Sequence, residues 1–425
     1  MSIFVKKKLF LLQNIRQKGF FHLLSANLLI QVVAFASQLF VAGILAPDDI
    51  GRIKIIQTYL SIFIIFAGMG FSSSTLKLCS ENRSIDERNT LFRSALFFTI
   101  LSTILLYLII LILNYYSVFS SDKLIKLILP LGLFPIISNS LFVVFASYFQ
   151  AIKKIKLLSS VTISNKLISI ISIVILTYLM GIKGYYVAYN ISFILILIVC
   201  IKASGFIFTS NFFSFKHFYQ FKIHWKLAKP SMLAYLLSEM SAYVDIILIN
   251  YFITDMHQIG YYSFALTITV ILKLFPSTVQ QITIPYFSSM TNQKAEFLKI
   301  FKQYNLILYT VIGLSLITIL LFFPFLVKWF LNGKYVESSQ YFSFLAIGWS
   351  LRQLVQLQNG AIFSLGKIHY NVYTSLITLI FNIIAVSISL FYYGMIGATY
   401  ASVAGGFVFM ICSRYFFRKA YNEMI

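Results

Sequence analysis

Two of the twelve acidic residues of this 425-residue chain, Glu239 and Asp245, fall inside its long apolar stretches. Three basic residues do the same: Lys166, Lys273 and Arg352. Lys77 stands at the edge of another such stretch. Ionisable side chains within apolar runs are costly in hydrocarbon and mark substrate paths or ion pairs. Counted at ~1.5 Å of rise per residue, Lys166, Glu239, Lys273 and Arg352 each lie roughly 20 Å from the same end of their stretches. That places all four at or just past the midplane of a ~30 Å hydrocarbon core. Asp245 lies about 12 Å in. Three cations and one carboxylate at a common depth would suit a phosphate or pyrophosphate crossing a membrane, since an unpaired anion there is prohibitively costly. Simpler roles exist for four of these residues. Glu239 and Lys273 can pair across adjacent helices, Lys166 can snorkel toward water, and Asp245 can be a packing acid satisfied by Ser or Tyr neighbours. A midspan guanidinium such as Arg352 faces the protein interior.

Polar and bent segments accompany these charges. Pro276 and Pro285 flank Gln280 and Gln281. Proline removes a backbone hydrogen bond, and a glutamine can re-satisfy the freed group or line a polar path; the same pattern also fits a static kink. Asn27, Gln31 and Gln38 recur at spacings of four and seven and share one helix face, which is expected to look into the same cavity.

The elements that must position these residues follow from hydropathy. With 59% hydrophobic and 11% charged residues, no water-soluble fold of this length hides so much apolar surface. The expectation is an all-α polytopic membrane protein with about twelve transmembrane helices, near 23–45, 55–77, 91–113, 125–149, 157–180, 184–203, 230–253, 259–287, 303–326, 339–363, 368–391 and 395–417. The terminal and even-numbered connections hold 24 of the 34 Lys and Arg, and the odd-numbered ones hold 7. That asymmetry predicts cytoplasmic termini. The net charge of +22 then calls for anionic lipid headgroups as partners and for no nucleic acid.

Residues 1–22 form a basic N-terminus whose stretch 4–12 is amphipathic and suited to a membrane surface; the apolar run that follows is too long for a signal peptide and is expected to be the first helix. Two bundles of six helices, 23–203 and 230–417, flank a basic, aromatic linker at 204–229, and a tail covers 418–425. The halves echo one another. Asp49-Ile50-Gly51 returns as Gln258-Ile259-Gly260, 209 residues on, and Lys154-Ile155 returns as Lys367-Ile368. Gly184 and Ala188 meet Gly397 and Ala401 at that second offset, 213 residues. A six-plus-six parallel repeat is a transporter signature.

Enzyme motifs are missing. Residues 360–367 (GAIFSLGK) mimic a phosphate-binding loop but carry five residues between the glycines and Ile368 where a metal-binding hydroxyl belongs. Cys79, Cys200 and Cys412 have no spaced partners and suit small apolar filler. No cofactor or metal is expected, and no connection is long enough to hold a catalytic domain.

Several segments resemble the Wzx-type polysaccharide repeat-unit flippases of the multidrug/oligosaccharidyl-lipid/polysaccharide (MOP) exporter superfamily. Ala46-Pro47-Asp48-Asp49-Ile50-Gly51 is similar to the family's first hairpin. Gly68-Met69-Gly70-Phe71, with the serines after it and Lys77, resembles its second helix, where family members often carry arginine. Asp245 with the aliphatics after it, Pro276 to Pro285, and Leu365-Gly366-Lys367 resemble later family segments. The resemblance implies two six-helix bundles in a MATE-like V in a bacterial inner membrane. Its implied substrate is an undecaprenyl-pyrophosphate-linked oligosaccharide, an O-antigen unit of lipopolysaccharide or a similar surface polysaccharide, carried from the cytoplasmic to the periplasmic leaflet. Other polysaccharide assembly proteins are implied partners. Lys77 would receive the pyrophosphate at the cytoplasmic mouth, and Lys273 and Arg352 would attract it further in. Two other classes compete. A cation-coupled multidrug antiporter would favour cavity carboxylates, and Glu239 and Asp245 are the only ones available for coupling. A membrane polymerase or glycosyltransferase would place catalytic residues in a long external loop, which this chain lacks.

Overall fold

The computed structural model describes residues 20–81, 83–205, 216–290 and 293–424; the side chains of 20–31, 155, 216–219, 281–282, 285–286 and 289 lie outside the description. The amphipathic stretch 4–12 and the side chains of Asn27 and Gln31 are therefore outside it.

The described chain is helical almost throughout. α1 runs Phe20–Ile44, α2 Pro47–Gly68, α3 Phe71–Ser80, α4 Ile85–Tyr115, α5 Lys123–Leu133, α6 Pro135–Ala151 and α7 Ile155–Ser204. In the second half α8 runs Lys216–Phe252, α9 Met256–Thr269, α10 Leu274–Ser289, α11 Lys294–Phe325, α12 Ser339–Leu354, α13 Gln356–Ser364 and α14 Ile368–Asn422. Eight stretches of helix are long and apolar enough to cross a membrane. Two of these, in α7 and α14, are twice the length one crossing needs, and each is broken by a glycine at φ 60°, Gly181 and Gly394. At these glycines the chain reverses: Ser169 donates to Ser192 at 2.7 Å across the first hairpin. With α1 and the bent pair α12–α13, the described chain makes twelve crossings.

Local chemistry sets the ends of these helices. α2 starts on Pro47 at its first turn with Asp48 and Asp49 behind it, the arrangement that suits a helix N-terminus and its dipole. Ser84 and Glu87 close a capping box on α4, and Asp122 caps α5 by accepting from the Ile125 N–H at 2.7 Å. α9 and α10 are one span interrupted by a 3-10 turn, Val270–Lys273. Pro276 accounts for it: it cannot bond back to Leu272, and its ring crowds that carbonyl.

The internal repeat is written into the backbone. Gly181 (φ 60°, ψ −142°) and Gly394 (φ 60°, ψ −147°) are 213 residues apart. So are Lys153 (φ 60°) and Gly366 (φ 73°), which close the preceding turns. Lys154 N–H donates to Phe149 O at 2.9 Å, and its counterpart Lys367 donates to Ile362 O at 3.1 Å. The Ser169–Ser192 contact maps onto Asn382 and Gly405, where a Cβ on the glycine would come within 2.0 Å of Asn382 Oδ1.

Exposed aromatics mark one membrane boundary. Tyr115, Tyr116, Tyr178, Tyr251, Trp329, Phe330, Phe391, Tyr392 and Tyr393, at the ends of five odd-numbered crossings, are 67% to 83% exposed. Such a ring of amphipathic side chains belongs at a lipid–water interface. It sits on the side poor in Lys and Arg. On the basic side the linker's described part, from residue 216, is continuous with α8. His224 is fully buried against the first half, between Ser74 Oγ (2.8 Å) and Leu91 O (3.1 Å).

Candidate functional site

The candidate side chains converge where α2, α8 and α12 face each other. Tyr243 of α8 is the hinge of the arrangement, because it lines two adjoining cavities. The first, about 230 Å³, is walled by Lys54, Gln57, Ser61, Asn139, Tyr189 and Tyr243. The second, about 160 Å³, is walled by residues including Glu239, Tyr243, Lys273, Trp349, Arg352 and Gln356. Lys54 Nζ lies 5.0 Å above the Tyr243 ring, and the Arg352 guanidinium lies 5.8 Å from the Trp349 centroid. Both cations are thus held by π faces, which leaves their N–H groups largely unspent. Arg352 donates one long bond, to Ser241 O at 3.4 Å, and its Nε is buried with no hydrogen-bond partner. Desolvated guanidinium N–H groups form strong bidentate bonds with oxyanions.

Carboxylates balance this charge from one side. Asp245 is the carboxylate whose charge acts most strongly on both Lys54 and Arg352, and it lines a small pocket with Arg352. It is also a packing acid: Tyr262 O–H donates to it at 2.6 Å and the Ile246 N–H at 2.9 Å. Glu239 faces Lys273 and Lys54 across the cavity. Glu239 and Lys273 share the lining without a direct ion pair, unlike the pairs within 4 Å elsewhere in the chain.

The structure regroups the residues singled out in the sequence. Glu239, Asp245, Lys273 and Arg352 come together. Lys166 does not: it lies on an exposed face of α7, away from both cavities, so its shared depth did not mean a shared site. Its place is taken by Lys54. The expected span began at residue 55 and left Lys54 in a connection, but α2 begins at Pro47 and carries Lys54 two turns into the helix. The Pro-Asp-Asp helix start was the signal that would have moved that boundary. Tyr243 and Trp349, which cradle the cations, gave no sequence signal. Lys77 is exposed in the last turn of α3 on the basic side, apart from the cluster. Gln38 lines a small extension of the first cavity beside Lys54 and Gln57. Gln280 accepts from Gln356 Nε2 at 2.7 Å and so joins α10 to the cavity wall. Gln281 and Pro285 side chains are outside the description.

The bonds that tie the two halves together cluster on the aromatic-ringed side. His257 Nδ1 meets Asp48 at 3.0 Å. Asn250 donates to Phe119 O at 2.6 Å and accepts from Ser120 Oγ at 2.9 Å. Lys334 Nζ donates to the carbonyls of Gly43 (3.2 Å) and Leu45, and Tyr335 O–H to Ala42 O at 3.1 Å. Beneath them Arg52 bridges Asp49 (2.9 Å) and Asp122 (3.1 Å). The cavities lie on the far side of this seal from that face.

Known proteins share the fold and part of the sequence. The family model described as "Polysaccharide biosynthesis protein" matches residues 17–291, more than half of the chain. A search of curated proteins gives no match. Among solved structures, the fold is similar to "Lipid II flippase MurJ, inward closed conformation" (TM-score 0.73, 17% identity, 93% of this chain and 90% of that one). It is also similar to an inward-facing multidrug resistance MATE family transporter of the MOP superfamily (TM-score 0.70, 12% identity, 93% and 96%). A third, a MOP superfamily transporter from Pyrococcus furiosus described as having a binding pocket of reverse polarity, has TM-score 0.63 at 11% identity over 94% of each chain. With this sequence match over more than half of its length, the chain belongs to the polysaccharide biosynthesis protein family, and its fold is MATE-like.

Proposed function

We propose that the protein is an alternating-access flippase that carries undecaprenyl-pyrophosphate-linked saccharide units, of O-antigen or a similar surface polysaccharide, from the cytoplasmic to the periplasmic leaflet of a bacterial inner membrane. The observation that carries this reading is the Lys54–Tyr243–Trp349–Arg352 arrangement. It offers two π-held, under-bonded cations at the meeting of the halves, where a pyrophosphate can replace the water it loses. The charge asymmetry of the connections assigns the basic side to the cytoplasm, which makes the sealed side periplasmic and this state inward-facing. Cargo would enter past Lys77, engage Lys54, Lys273 and Arg352, and leave after the seal of Asp48, His257, Asn250 and Lys334 opens and the opposite side closes. Glu239 and Asp245 keep the empty site from carrying a bare triple positive charge and are the groups available for ion coupling. The likeness to a protein described as a lipid II flippase supports a lipid-linked cargo.

Complementation tests it. A flippase-deletion strain receives the wild-type gene or Arg352→Ala, and surface polysaccharide is resolved on a gel. Restored ladders with wild type, and lost ladders with Arg352→Ala at equal protein level, are expected. Restored ladders with both would overturn the assigned role of the cations. Resistance to cationic drugs on overexpression, with no effect on polysaccharide, would move the chain to the antiporter class.

A further inference from the structure

A further cavity, of about 340 Å³, borders the first on the basic side; Ile64 lines both. Its lining carries no charged side chain. Its polar groups are Ser72 and Ser73 from α3, Ser140, Ser147 and Gln150 from α6, and Tyr235 from α8. Two features of this lining favour a ligand. Serines in a membrane helix ordinarily bond back to a carbonyl of their own or a neighbouring helix, as Ser61 does to Gln57 O (3.0 Å) and Ser102 to Ala67 O (2.5 Å). Ser72, Ser73, Ser140 and Ser147 make no such bond to the described residues. Ser140 is 2% exposed and its Oγ is buried without a partner, so the hydroxyls that a ligand can reach are those of the half-buried Ser72, Ser73 and Ser147. Second, the backbone is shaped to bring them in. Met69 (φ 45°) and Gly70 (φ 70°) break the span between α2 and α3 and re-aim the serines that follow. A Cβ on Gly70 would fall 2.3 Å from Ala228 O, so α8 packs directly on this corner. Ser140 and Ser147, seven residues apart, share one face of α6.

We infer that this cavity is a saccharide subsite that takes an uncharged, hydroxyl-bearing sugar next to the pyrophosphate held at Lys54. The inference rests on the proposed function and refines its cargo. Neutral hydroxyls and an amide bond sugar hydroxyls or an acetamido group well. They offer no countercharge to a uronic acid, whose desolvated carboxylate would be penalised here. The volume lies at the lower end of the ~300–1,000 Å³ of small-molecule sites, enough for the first sugar positions rather than a whole repeat unit.

The test uses the full-length protein and native mass spectrometry with two probes, undecaprenyl pyrophosphate and the same lipid bearing one N-acetylglucosamine. Wild type should bind the sugar-bearing lipid at least about tenfold more tightly than the bare one. Ser73→Ala with Ser147→Ala should remove that preference, with a loss of roughly fivefold for each hydroxyl bond, while bare-lipid affinity stays unchanged. The unchanged bare-lipid affinity is also the control for folding. Equal wild-type affinities for the two lipids, or an equal loss of both in the double variant, would overturn the subsite and leave the flippase reading standing. No binding of either lipid would overturn both.

Discussion

Gly51 of α2 and Gly260 of α9, equivalent positions in the two halves, pack backbone against backbone: a Cβ on Gly51 would sit 2.9 Å from Gly260 N, and one on Gly260 would sit 2.0 Å from Pro47 O. The axis relating the halves therefore passes beside a contact that only two glycines permit. The contact lies on the sealed side, next to the Asp48–His257 pair at 3.0 Å. Closing that side depends on α2 and α9 touching without side chains between them.

Gly260→Ala should therefore weaken the seal rather than the bundles. Overpacking of this kind costs about 1–3 kcal/mol. Spin labels on Tyr116 and Trp329, both exposed on the sealed side, should report a population at longer separation in the variant. A distance distribution unchanged from wild type would show that the contact does not set the closed state.

Lys54 and Lys166 separate the structural reading from the one based on depth alone. Lys54→Gln should cut flipping by roughly tenfold or more, comparable to Arg352→Gln, since a bond to a charged group is worth about 1.5–3 kcal/mol. Lys166→Gln should leave transport within about twofold of wild type. The readout is the rate of surface polysaccharide appearance at matched protein level. The opposite ranking of Lys54 and Lys166 would contradict the cavity described here.

The crossings and the two-bundle fold were legible because a membrane span is specified by length and hydropathy, which a single chain displays directly. The 213-residue offset was legible in Gly184 and Gly397 because tight hairpins demand glycine at fixed positions. The site was legible only in part. Helical rise gives depth but not azimuth, so Lys166 shared a depth with Arg352, and only the neighbouring helices fixed that its face points outward. Lys54 was lost to a boundary error of eight residues at Pro47. The serines of the third cavity, being neutral and common in membrane helices, pointed to no sugar site until their surroundings could be seen.

Asp245 has two jobs, and a single variant can divide them. Tyr262 donates to it at 2.6 Å, so Tyr262→Phe leaves the carboxylate short of a donor in an enclosed setting. The expected loss is about 1–3 kcal/mol, read as a lower melting temperature in detergent. Asp245→Asn should lose less, because an amide oxygen still accepts from Tyr262. Equal loss in the two variants would mean that charge at Asp245, not the bond, stabilises this corner.

At the other end of the molecule, Glu423 accepts from Tyr370 O–H at 2.5 Å and pairs with Lys367 at 2.9 Å. These partners hold its carboxyl below the ordinary 4.5. A depressed acid stabilises above its unfolded value and loses that contribution as pH falls through the folded one. The tie should therefore be constant from about pH 5 upward and weaken only in more acidic solution. Mobility of a spin label at Asn422 should be flat above pH 5 and rise below it, and Glu423→Gln should raise it above pH 5 and remove the pH dependence. A transition near neutrality would point to a different titrating group.

Gly181 and Gly394 offer the most direct test of the repeat. Both adopt φ 60° with ψ near −145°, a region open essentially to glycine alone, and neither has an atom within 4 Å of where a Cβ would stand. Alanine at either position therefore meets backbone strain and nothing else. Each substitution should cost about 1–3 kcal/mol, and the two costs should agree closely because the hairpins share a backbone. Far-UV signal should persist while the melting temperature falls by a similar amount in both. The double variant should lose the sum, since the hairpins belong to different bundles and share no partner. Strongly unequal losses would mean that the two turns, though alike in dihedral angles, bear different loads in the cycle between the two faces.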